Sequence, residues 1–398
     1  MGLDITKAIK ERVLELEEET IAIRGHLHEY PEVGGEEPET AKFLKAHAQK
    51  LGLEIEEVEG TGFTALLDTG KPGKTVGLRT DIDALPVEET EDNLAGPRKF
   101  ISKNPGVMHA CGHDGHMAIV LSTMTILSEM KDELTGKIYF IFEEAEEFGG
   151  GIDAMIKHLT GKGIDAIYGT HLTAFMDTGT ISVDAGPVMA AAAIVDFSVV
   201  GRGGHGSRPD LSINPLFASA QVLSGLTNAW ANRVDVTKTV TLGLTKIKGG
   251  EVLNVIPNDV RIGGTLRYFD VEEGEKAVET IRTVIHNTAK AHECTIVEHD
   301  ISAAGLPVSN DEEVAKIAQD GIREILPDAL VSDVTWFASE SFGRYAEIAP
   351  TAFAFVGIRD EEYGSGAEHH NHLFDLDDAA LKYGVAATTK FAVDYLTK

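Results

Sequence analysis

Three histidines, a cysteine and an aspartate fall within the short run Met108–His116, which reads M-H-A-C-G-H-D-G-H. Thiolate, imidazole and carboxylate groups are the side chains that bind borderline transition metals. The glycines and the alanine between them are too small to shield these polar groups. We expect the run to lie outside the packed core, because so many polar groups in one segment are costly to bury. The run therefore predicts a metal site that the rest of the chain must complete.

The chain is strongly acidic, with 64 Asp and Glu residues against 35 Lys and Arg and a formal charge of -29. This excess argues against nucleic acids and anionic membranes as partners, because both require basic patches. No apolar run is long enough to span a bilayer, and the N-terminal residues lack the pattern of a signal peptide. The two cysteines, Cys111 and Cys294, form no disulfide framework. We expect a soluble, cytoplasmic protein.

Short apolar runs alternate with helical patterns in the two end regions of the chain. This alternation favours a mostly parallel, three-layer αβα sheet domain, in which functional groups gather at the carboxyl ends of the strands. Amphipathic spacing also predicts one long opening helix, Ile5–Leu27, and a closing helix, Asp377–Leu396. The predicted strands are Thr64–Asp68, Thr75–Arg79, Lys137–Phe142, Ala166–His171 and Ala352–Ile358.

The middle of the chain follows a different order of elements. From about Pro187 the pattern predicts strand, helix, strand, strand, helix and strand. This βαββαβ order is typical of a ferredoxin-like domain. We therefore predict an α/β domain made of residues 1–186 and 303–398, and an inserted ferredoxin-like domain made of residues 187–302.

Polar clusters follow several of the predicted strands. Taken singly, a charge run is typical of a solvated loop, and a lone histidine is typical of an ordinary hydrogen-bonded residue. Converging carboxylates and imidazoles would repel one another or lose solvation unless a cation held them. The clusters therefore strengthen the prediction of a metal site. They are Asp81 and Asp83, Glu143–Glu147, His171, and Glu368–His372.

Metal-assisted hydrolysis needs ligands for one or two cations and a carboxylate that takes a proton from water. Glu146 and Glu147 follow a predicted strand and suit both roles, because neighbouring side chains point in different directions. The spacing leaves open which of the two binds metal and which acts as the base.

Five motifs, in order along the chain, resemble those of the aminoacylase, hippurate hydrolase and indole-acetyl-amino-acid hydrolase family of dinuclear metallo-amidohydrolases. The match covers both predicted domains. It implies a zinc-peptidase-like αβα catalytic domain with an inserted domain that serves as a lid and for dimerisation. The motifs are R-T-D-I-D-A-L-P (Arg79–Pro86), H-A-C-G-H-D-G-H (His109–His116), A-E-E-x-G-G-G (Ala145–Gly151), G-x-G-G-H-G-S-R-P (Gly201–Pro209) and N-V-I-P…G-T-L-R (Asn254–Arg267).

The resemblance implies a role for each matching residue of the first domain. Glu146 would be the general base, and Asp81 and Asp83 would support the ligands from behind the site. Two divalent cations would be bound, with manganese, zinc, cobalt and nickel as the candidates. Their ligands would be Cys111, His113, Glu147, His171 and His370.

The chain departs from the family pattern at two places near these ligands. His370 is the favoured C-terminal ligand because it lies four residues before Phe374, as the family's histidine does. His372 stands where the family usually has proline, and it remains open as the alternative. Glu143 and Glu144 stand where the family usually has glutamine and proline, so we expect an unusually acidic loop.

In the inserted domain, the resemblance implies that His205 polarises the scissile carbonyl across a homodimer. Asn254 and Arg267 would hold the substrate, with Arg267 binding its carboxylate. The implied reaction is metal-dependent hydrolysis of the amide bond of a small N-acyl amino acid or related conjugate. The alternatives are a dipeptidase-like or carboxypeptidase-like metallopeptidase acting on small peptides and, less favoured, a catalytically inactive binding protein of the same fold.

A nicotinamide-dependent oxidoreductase is disfavoured, although Gly201, Gly203 and Gly206 form the dinucleotide-binding pattern G-x-G-x-x-G. Pro209 and Pro215 follow these glycines, so a helix is not expected to begin directly at them and receive a pyrophosphate.

Overall fold

The computed structural model of this protein describes residues 5–397, which form two compact units. The helices are α1 (Ile5–Glu15), α2 (Glu17–Glu29), α3 (Pro38–Lys50), α4 (His113–Glu129), α5 (Ile152–Leu159), α6 (Pro215–Arg233), α7 (Val271–Ala291), α8 (Glu312–Ile325) and α9 (Leu381–Thr397). The strands are β1 (Glu54–Glu57), β2 (Phe63–Asp68), β3 (Thr75–Asp81), β4 (Lys137–Glu143), β5 (Ala166–Asp177), β6 (Ile181–Ser182), β7 (Gly186–Met189), β8 (Ala191–Val200), β9 (Gly204–His205), β10 (Val240–Lys248), β11 (Val255–Ile256), β12 (Asp259–Tyr268), β13 (Thr295–Ala304), β14 (Val308–Asn310) and β15 (Thr351–Arg359).

Within the described residues, the first unit comprises residues 5–186, Ser309–Val334 and residues 344–397, and the second comprises Pro187–Val308 and Thr335–Gly343. These bounds differ from the predicted domains on the C-terminal side. Strand β13 pairs with β8 as far as Ala304, which keeps residues 303 and 304 in the second unit. The segment Thr335–Gly343 joins this unit because Trp336 exchanges main-chain hydrogen bonds with Val188 and Ala190.

The first unit is built on a seven-stranded sheet in the order β1-β2-β4-β3-β5-β15-β6. Its central strands β4, β3, β5 and β15 are parallel, whereas β1, β2 and β6 are antiparallel to their neighbours. The sheet is therefore more mixed than predicted. The short loop between β1 and β2 permits only a hairpin, whereas helical crossovers connect the parallel strands.

Helices cover this sheet, in agreement with the predicted three-layer αβα fold. Every residue of β3 is buried, as expected for a strand that is covered on both faces. Helix α4 is also buried along almost its whole length, and it packs against α2, α9 and β3. The predicted opening helix is divided at Leu16 into α1 and α2, although hydrogen bonds from Leu16 to Arg12 and from Thr20 to Leu16 continue the helical spiral.

The second unit contains a four-stranded antiparallel sheet in the order β10-β12-β8-β13. Helices α6 and α7 pack together and against this sheet, and their apolar side chains form a separate core with those of the strands. The order β8, α6, β10, β12, α7, β13 confirms the predicted ferredoxin-like fold. A small two-stranded ribbon of β9 and β11 is added to it.

None of the helices within residues 5–397 is both long enough and apolar enough to cross a membrane.

Candidate metal centre and substrate-binding residues

A cluster of metal-binding side chains lies in the first unit. It consists of overlapping groups in which one ligand atom from each residue lies within 4.8 Å of the others. All five side chains that the sequence predicts as ligands are brought together here. Among the described residues the groups are Cys111, His113 and His171; Cys111, Glu147 and His370; His113, Glu146 and Glu147; and Asp81, His113 and His116.

The sheet explains why residues so distant in sequence meet. Strands β3, β4 and β5 are parallel neighbours, with Asp81 opposite Glu143 and Arg79 opposite Gly169. The segments that follow β3 and β4, together with the later part of β5, therefore lie at one edge of the sheet. His171 lies within β5 rather than after it, because this strand continues to Asp177.

Helix α4 brings two predicted ligands to the same edge. It begins at His113, directly after Gly112, which has a φ of 91°. A residue with a side chain rarely adopts this left-handed conformation, so glycine permits the sharp turn between Cys111 and the first helical residue. The two ligands are thereby fixed on either side of the helix start.

Two non-glycine residues next to the predicted ligands also have left-handed backbone conformations. Ala145, with a φ of 50°, precedes the 3-10 turn Glu146–Phe148, and His370 has a φ of 61°. Neighbouring contacts hold both: Ala145 N–H donates to Glu37 at 3.0 Å, and His370 N–H donates to the Ala110 carbonyl at 2.9 Å. Such conformations cost of order 1–3 kcal/mol and are concentrated at functional sites.

The ring orientations of His113 and His171 are set by hydrogen bonds at Nδ1. Nδ1 of His113 lies 2.9 Å from the Asp83 main-chain oxygen and 3.1 Å from its Oδ1, and Nδ1 of His171 lies 2.7 Å from the Leu172 carbonyl. Nδ1 therefore carries the proton, and Nε2 of each ring faces the cluster. Nε2 of His171 is 3.7 Å from Sγ of Cys111. This arrangement is the usual one for metal-binding histidines.

The fourth group, which contains Asp81 and His116, serves as support. Nδ1 of His116 donates to Oδ1 of Asp81 at 2.8 Å, and its Nε2 accepts the Leu172 N–H at 2.9 Å. Both ring nitrogens are thus engaged, which leaves no lone pair for a cation. Asp81 also accepts a hydrogen bond from Nη1 of Arg79 at 2.8 Å.

The prediction that Met108–His116 lies outside the packed core is wrong. Every residue of the run is buried, and the sheet edge supplies hydrogen bonds to His113 and His116. Neither ring nitrogen of His109 has a hydrogen-bond partner among the described residues. Burial lowers the pKa of His109 to about 3, so its ring is neutral.

The electrostatics of the cluster suit a cation. Burial and the neighbouring Glu147 charge raise the pKa of the Cys111 thiol well above its usual range, so a cation that binds the thiolate displaces a proton. Burial lowers the pKa of His171 well below its usual value and keeps the ring in its neutral, metal-binding form. Nε2 of His113 and Oε1 of Glu147 are buried 3.8 Å apart, and neither makes a hydrogen bond to the described residues.

The C-terminal histidines have different environments. Nε2 of His370 lies 3.3 Å from Oε1 of Glu147 and belongs to the cluster. His369 is buried, and its Nε2 accepts the Ala174 N–H at 3.1 Å. The side chain of His372 is exposed. The geometry therefore favours His370 among the three as a ligand.

The expectation of an acidic loop is wrong for Glu143. Its carboxylate is buried and accepts hydrogen bonds from Nε of Arg79 at 2.9 Å and from the Tyr345 hydroxyl at 2.8 Å. Glu144 accepts a hydrogen bond from the Thr61 hydroxyl at 2.6 Å. These carboxylates hold the segment before Glu146 in place rather than adding charge to a solvated loop.

Sequence reasoning missed Arg24, a fully buried arginine of α2. Its guanidinium donates to Asp114, Asp375 and Asp378 at distances between 2.9 and 3.1 Å. It thereby ties the start of α4 to the segment that follows His370. A signal was present, because Arg24 falls on the buried stripe of an amphipathic helix, where a charged residue needs partners.

The predicted substrate-binding residues lie in the second unit. His205 and Asn254 meet in the β9–β11 ribbon, where His205 pairs with Val255 and the Asn254 carbonyl accepts the Gly206 N–H at 2.8 Å. Arg267 lies on β12, in the main sheet of the unit. Helix α6 begins only at Pro215, so the glycine pattern at Gly201–Gly206 does not open a helix.

The cluster combines thiol, imidazole and carboxylate donors that are buried and already oriented. Such a set fits one or two divalent transition-metal ions. With the αβα fold around it, this cluster defines the class of metal-dependent hydrolases that act on amide bonds. The chain belongs to peptidase family M20/M25/M40, whose sequence model matches residues 77–394.

The similar proteins agree with this class. Thermostable carboxypeptidase 1 of Saccharolobus solfataricus is 34% identical over 100% of both chains. N-acyl-L-amino acid amidohydrolase of Geobacillus stearothermophilus is 36% identical over 80% of this chain and 85% of its own. The solved structure of the Bacillus subtilis YXEP protein, described as a dinuclear metal-binding peptidase of the M20 family, superposes with a TM-score of 0.82 at 29% identity and covers 96% of this chain and 99% of its own.

Proposed function

We propose that this protein is an amidohydrolase that releases amino acids from small N-acyl amino acids or related conjugates. The observation that carries the proposal is the buried group of Cys111, His113 and His171 beside the adjacent Glu146 and Glu147. A ligand set of this kind next to a second carboxylate suits metal-assisted attack of water on an amide.

Two divalent cations are proposed. In support, Cys111 belongs to two different groups, one with His113 and His171 and the other with Glu147 and His370. Manganese, zinc, cobalt and nickel are all compatible with mixed sulfur, nitrogen and oxygen donors. When bound, such cations act as Lewis acids that lower the pKa of water and polarise a carbonyl oxygen.

Glu146 is proposed as the general base, and His205 as a donor to the scissile carbonyl. Glu146 takes the proton of the attacking water and returns it to the leaving nitrogen. Its carboxylate lies within 4.8 Å of ligand atoms of His113 and Glu147, which supports this role. His205 contributes an N–H that stabilises the carbonyl oxygen as negative charge develops on it.

Arg267 is proposed to bind the substrate carboxylate, with Asn254 as a second polar contact. Nη1 of Arg267 is buried and makes no hydrogen bond within the described part of the chain, and burial lowers the pKa of the guanidinium. A partly desolvated arginine in this state favours an anionic ligand. In the sheet, Arg267 is paired with Ala192 of β8 on one side and with Thr241 of β10 on the other.

A carboxypeptidase-like activity on small peptides is the second candidate. The name of the Saccharolobus solfataricus relative favours it. Both activities need a substrate carboxylate beside the scissile amide, so Arg267 serves either. The rates on an N-acetyl amino acid and on an N-blocked dipeptide with the same C-terminal residue separate the two candidates.

A homodimer through the second unit and a cytoplasmic location are also proposed. The apolar side chains of Ile247, Leu253 and Val255 are exposed on that unit, which supports self-association. Sedimentation velocity of the whole chain tests the dimer, and Leu253→Asp should shift it toward the monomer. A monomer in the unaltered protein as well as in Leu253→Asp would contradict the proposed homodimer.

The central experiment removes and restores the metal. Chelation should abolish release of amino acids from a panel of N-acyl amino acids, and manganese, zinc, cobalt or nickel should restore it. Glu146→Gln should abolish turnover while the metal content stays unchanged, whereas Glu133→Gln, at an exposed position between α4 and β4, should retain both. Turnover that resists chelation, or full activity in Glu146→Gln, would overturn the proposal.

A further inference from the structure

His205 is held by the residue two positions after it. The Ser207 hydroxyl oxygen lies 2.7 Å from Nδ1 of His205, and the Ser207 main-chain N–H donates to the same Nδ1 at 3.2 Å. Both groups of Ser207 therefore meet one nitrogen of the imidazole. Since the two residues are exposed, these contacts rather than packing determine the state of the ring.

The main-chain contact shows which nitrogen offers its lone pair. A peptide N–H can only donate, so Nδ1 must offer its lone pair. A neutral imidazole that accepts at Nδ1 has its hydrogen on Nε2.

The surrounding loop fixes this geometry. The Gly206 N–H donates to the Asn254 carbonyl at 2.8 Å, and the Arg208 N–H donates to the His205 carbonyl at 2.9 Å. The Ser207 N–H is thus carried on a turn whose flanking residues are both hydrogen-bonded. The turn thereby fixes the main-chain N–H, and the shorter of the two contacts with Nδ1 comes from the serine hydroxyl, which donates to the same lone pair.

We infer that Ser207 is a positioning residue that selects the tautomer of His205 with the hydrogen on Nε2. This inference rests on the proposed function, in which His205 donates to the scissile carbonyl. Of the two neutral tautomers, only the Nε2–H form presents a donor at the nitrogen that does not contact Ser207. Ser207 would thereby make the histidine ready to donate without a change of tautomer at the moment of reaction.

The first test reads the tautomer directly and needs no substrate. The whole protein, labelled with ¹⁵N-histidine, is examined by NMR, and the His205 signals are assigned by their loss in His205→Gln. At an alkaline pH at which the ring carries one hydrogen, we expect the Nε2–H form in the unaltered protein and in Ser207→Thr, and a larger share of the Nδ1–H form in Ser207→Ala, which has lost the hydroxyl contact. An Nδ1–H form in the unaltered protein, or no difference in Ser207→Ala, would overturn the inference.

The second test measures kinetics of the metal-loaded enzyme on an N-acyl amino acid. Ser207→Ala removes one hydrogen bond and should lower kcat about 2- to 10-fold with little change in KM. Ser207→Thr should restore the rate, and Ser224→Ala, on the exposed surface of α6, should leave it unchanged.

A double variant separates a role through the imidazole from a general effect on the loop. In the His205→Gln background, Ser207→Ala should have no further effect, because a glutamine amide has no tautomer to select. An equal loss in both backgrounds would overturn the inference. Full activity in His205→Gln alone would instead contradict the proposed role of His205, whereas the NMR result decides the action of Ser207 on the ring.

Discussion

Asp83 holds His113 twice, since Nδ1 of the histidine lies 2.9 Å from the main-chain oxygen of the aspartate and 3.1 Å from its Oδ1. The other carboxylate oxygen, Oδ2, accepts the Glu147 N–H at 3.1 Å. One buried carboxylate therefore orients two predicted ligands that come from different elements. Asp83 itself has no ligand atom in any of the groups within the described residues.

The first prediction concerns this carboxylate. Asp83→Ala should weaken metal binding about 10- to 100-fold, because outer-shell partners of this kind hold the ligands in position. Isothermal titration of the metal-free protein with manganese or zinc measures the change. Asp328→Asn, an exposed aspartate of the same unit, is the control and should bind as the unaltered protein does. Equal affinity in the Asp83 variant would contradict its orienting role.

The second prediction concerns Cys111, which belongs to two of the ligand groups. Cys111→Ala should lower the content of both cations, because a soft ligand is lost from each group. Metal analysis after gel filtration measures it, and circular dichroism should show an unchanged fold. Cys294→Ala removes the other buried cysteine, in the core of the second unit, and should keep its full metal content. If Cys111→Ala lost only one of the two cations, Cys111 would be a ligand of that cation alone.

The ligand cluster could be predicted from the sequence because its chemistry is visible in residue types. Cysteine, histidine and glutamate stand out near the ends of strands, and parallel strands bring those ends together. The fold class followed from the same alternation of elements. His370 was favoured from its spacing to Phe374, and the structure brings its ring to Glu147.

The supporting contacts could not be predicted, because they join residues whose distance along the chain carries no pattern. Arg24 and Asp375 lie at opposite ends of the chain, and Tyr345 meets Glu143 from a separate segment. One of the partners of buried His116 is the Leu172 N–H, a main-chain group that residue types do not reveal. Whether a polar run can be buried in the core therefore depends on its hydrogen-bond partners, which its composition does not reveal.

The third prediction concerns Arg267 and the substrate carboxylate. Arg267→Ala should raise KM about 10- to 100-fold for an N-acetyl amino acid, because a charge-assisted pair of hydrogen bonds is lost. The corresponding amino acid amide, which has no charge to pair, should be affected far less. Arg261→Ala is the matched control, since Arg261 lies on the same strand but is already paired with Asp196. An equal rise in KM for the N-acetyl amino acid and for its amide would show that Arg267 does not bind the substrate carboxylate.

The fourth prediction concerns His28, which is fully buried between two carboxylates. Its Nδ1 lies 2.8 Å from Oδ2 of Asp114, and its Nε2 lies 2.8 Å from Oε1 of Glu89. Burial opposes the charged ring, but the hydrogen bonds that the ring donates to these carboxylates prevail and raise the pKa of His28 from 6.5 to about 9. The ring is therefore charged in the folded protein at neutral pH.

A raised pKa in the folded state stabilises the protein most below the unfolded pKa of 6.5, and this contribution is lost as the pH rises through about 9. It is on the order of 3 kcal/mol. The free energy of unfolding should therefore fall across this range, and the difference between the unaltered protein and His28→Gln should be largest near the acidic end. Urea denaturation at a series of pH values measures both. His292→Gln, at an exposed position, should follow the unaltered protein. A pH-independent difference between the unaltered protein and His28→Gln would show that His28 does not titrate in this window.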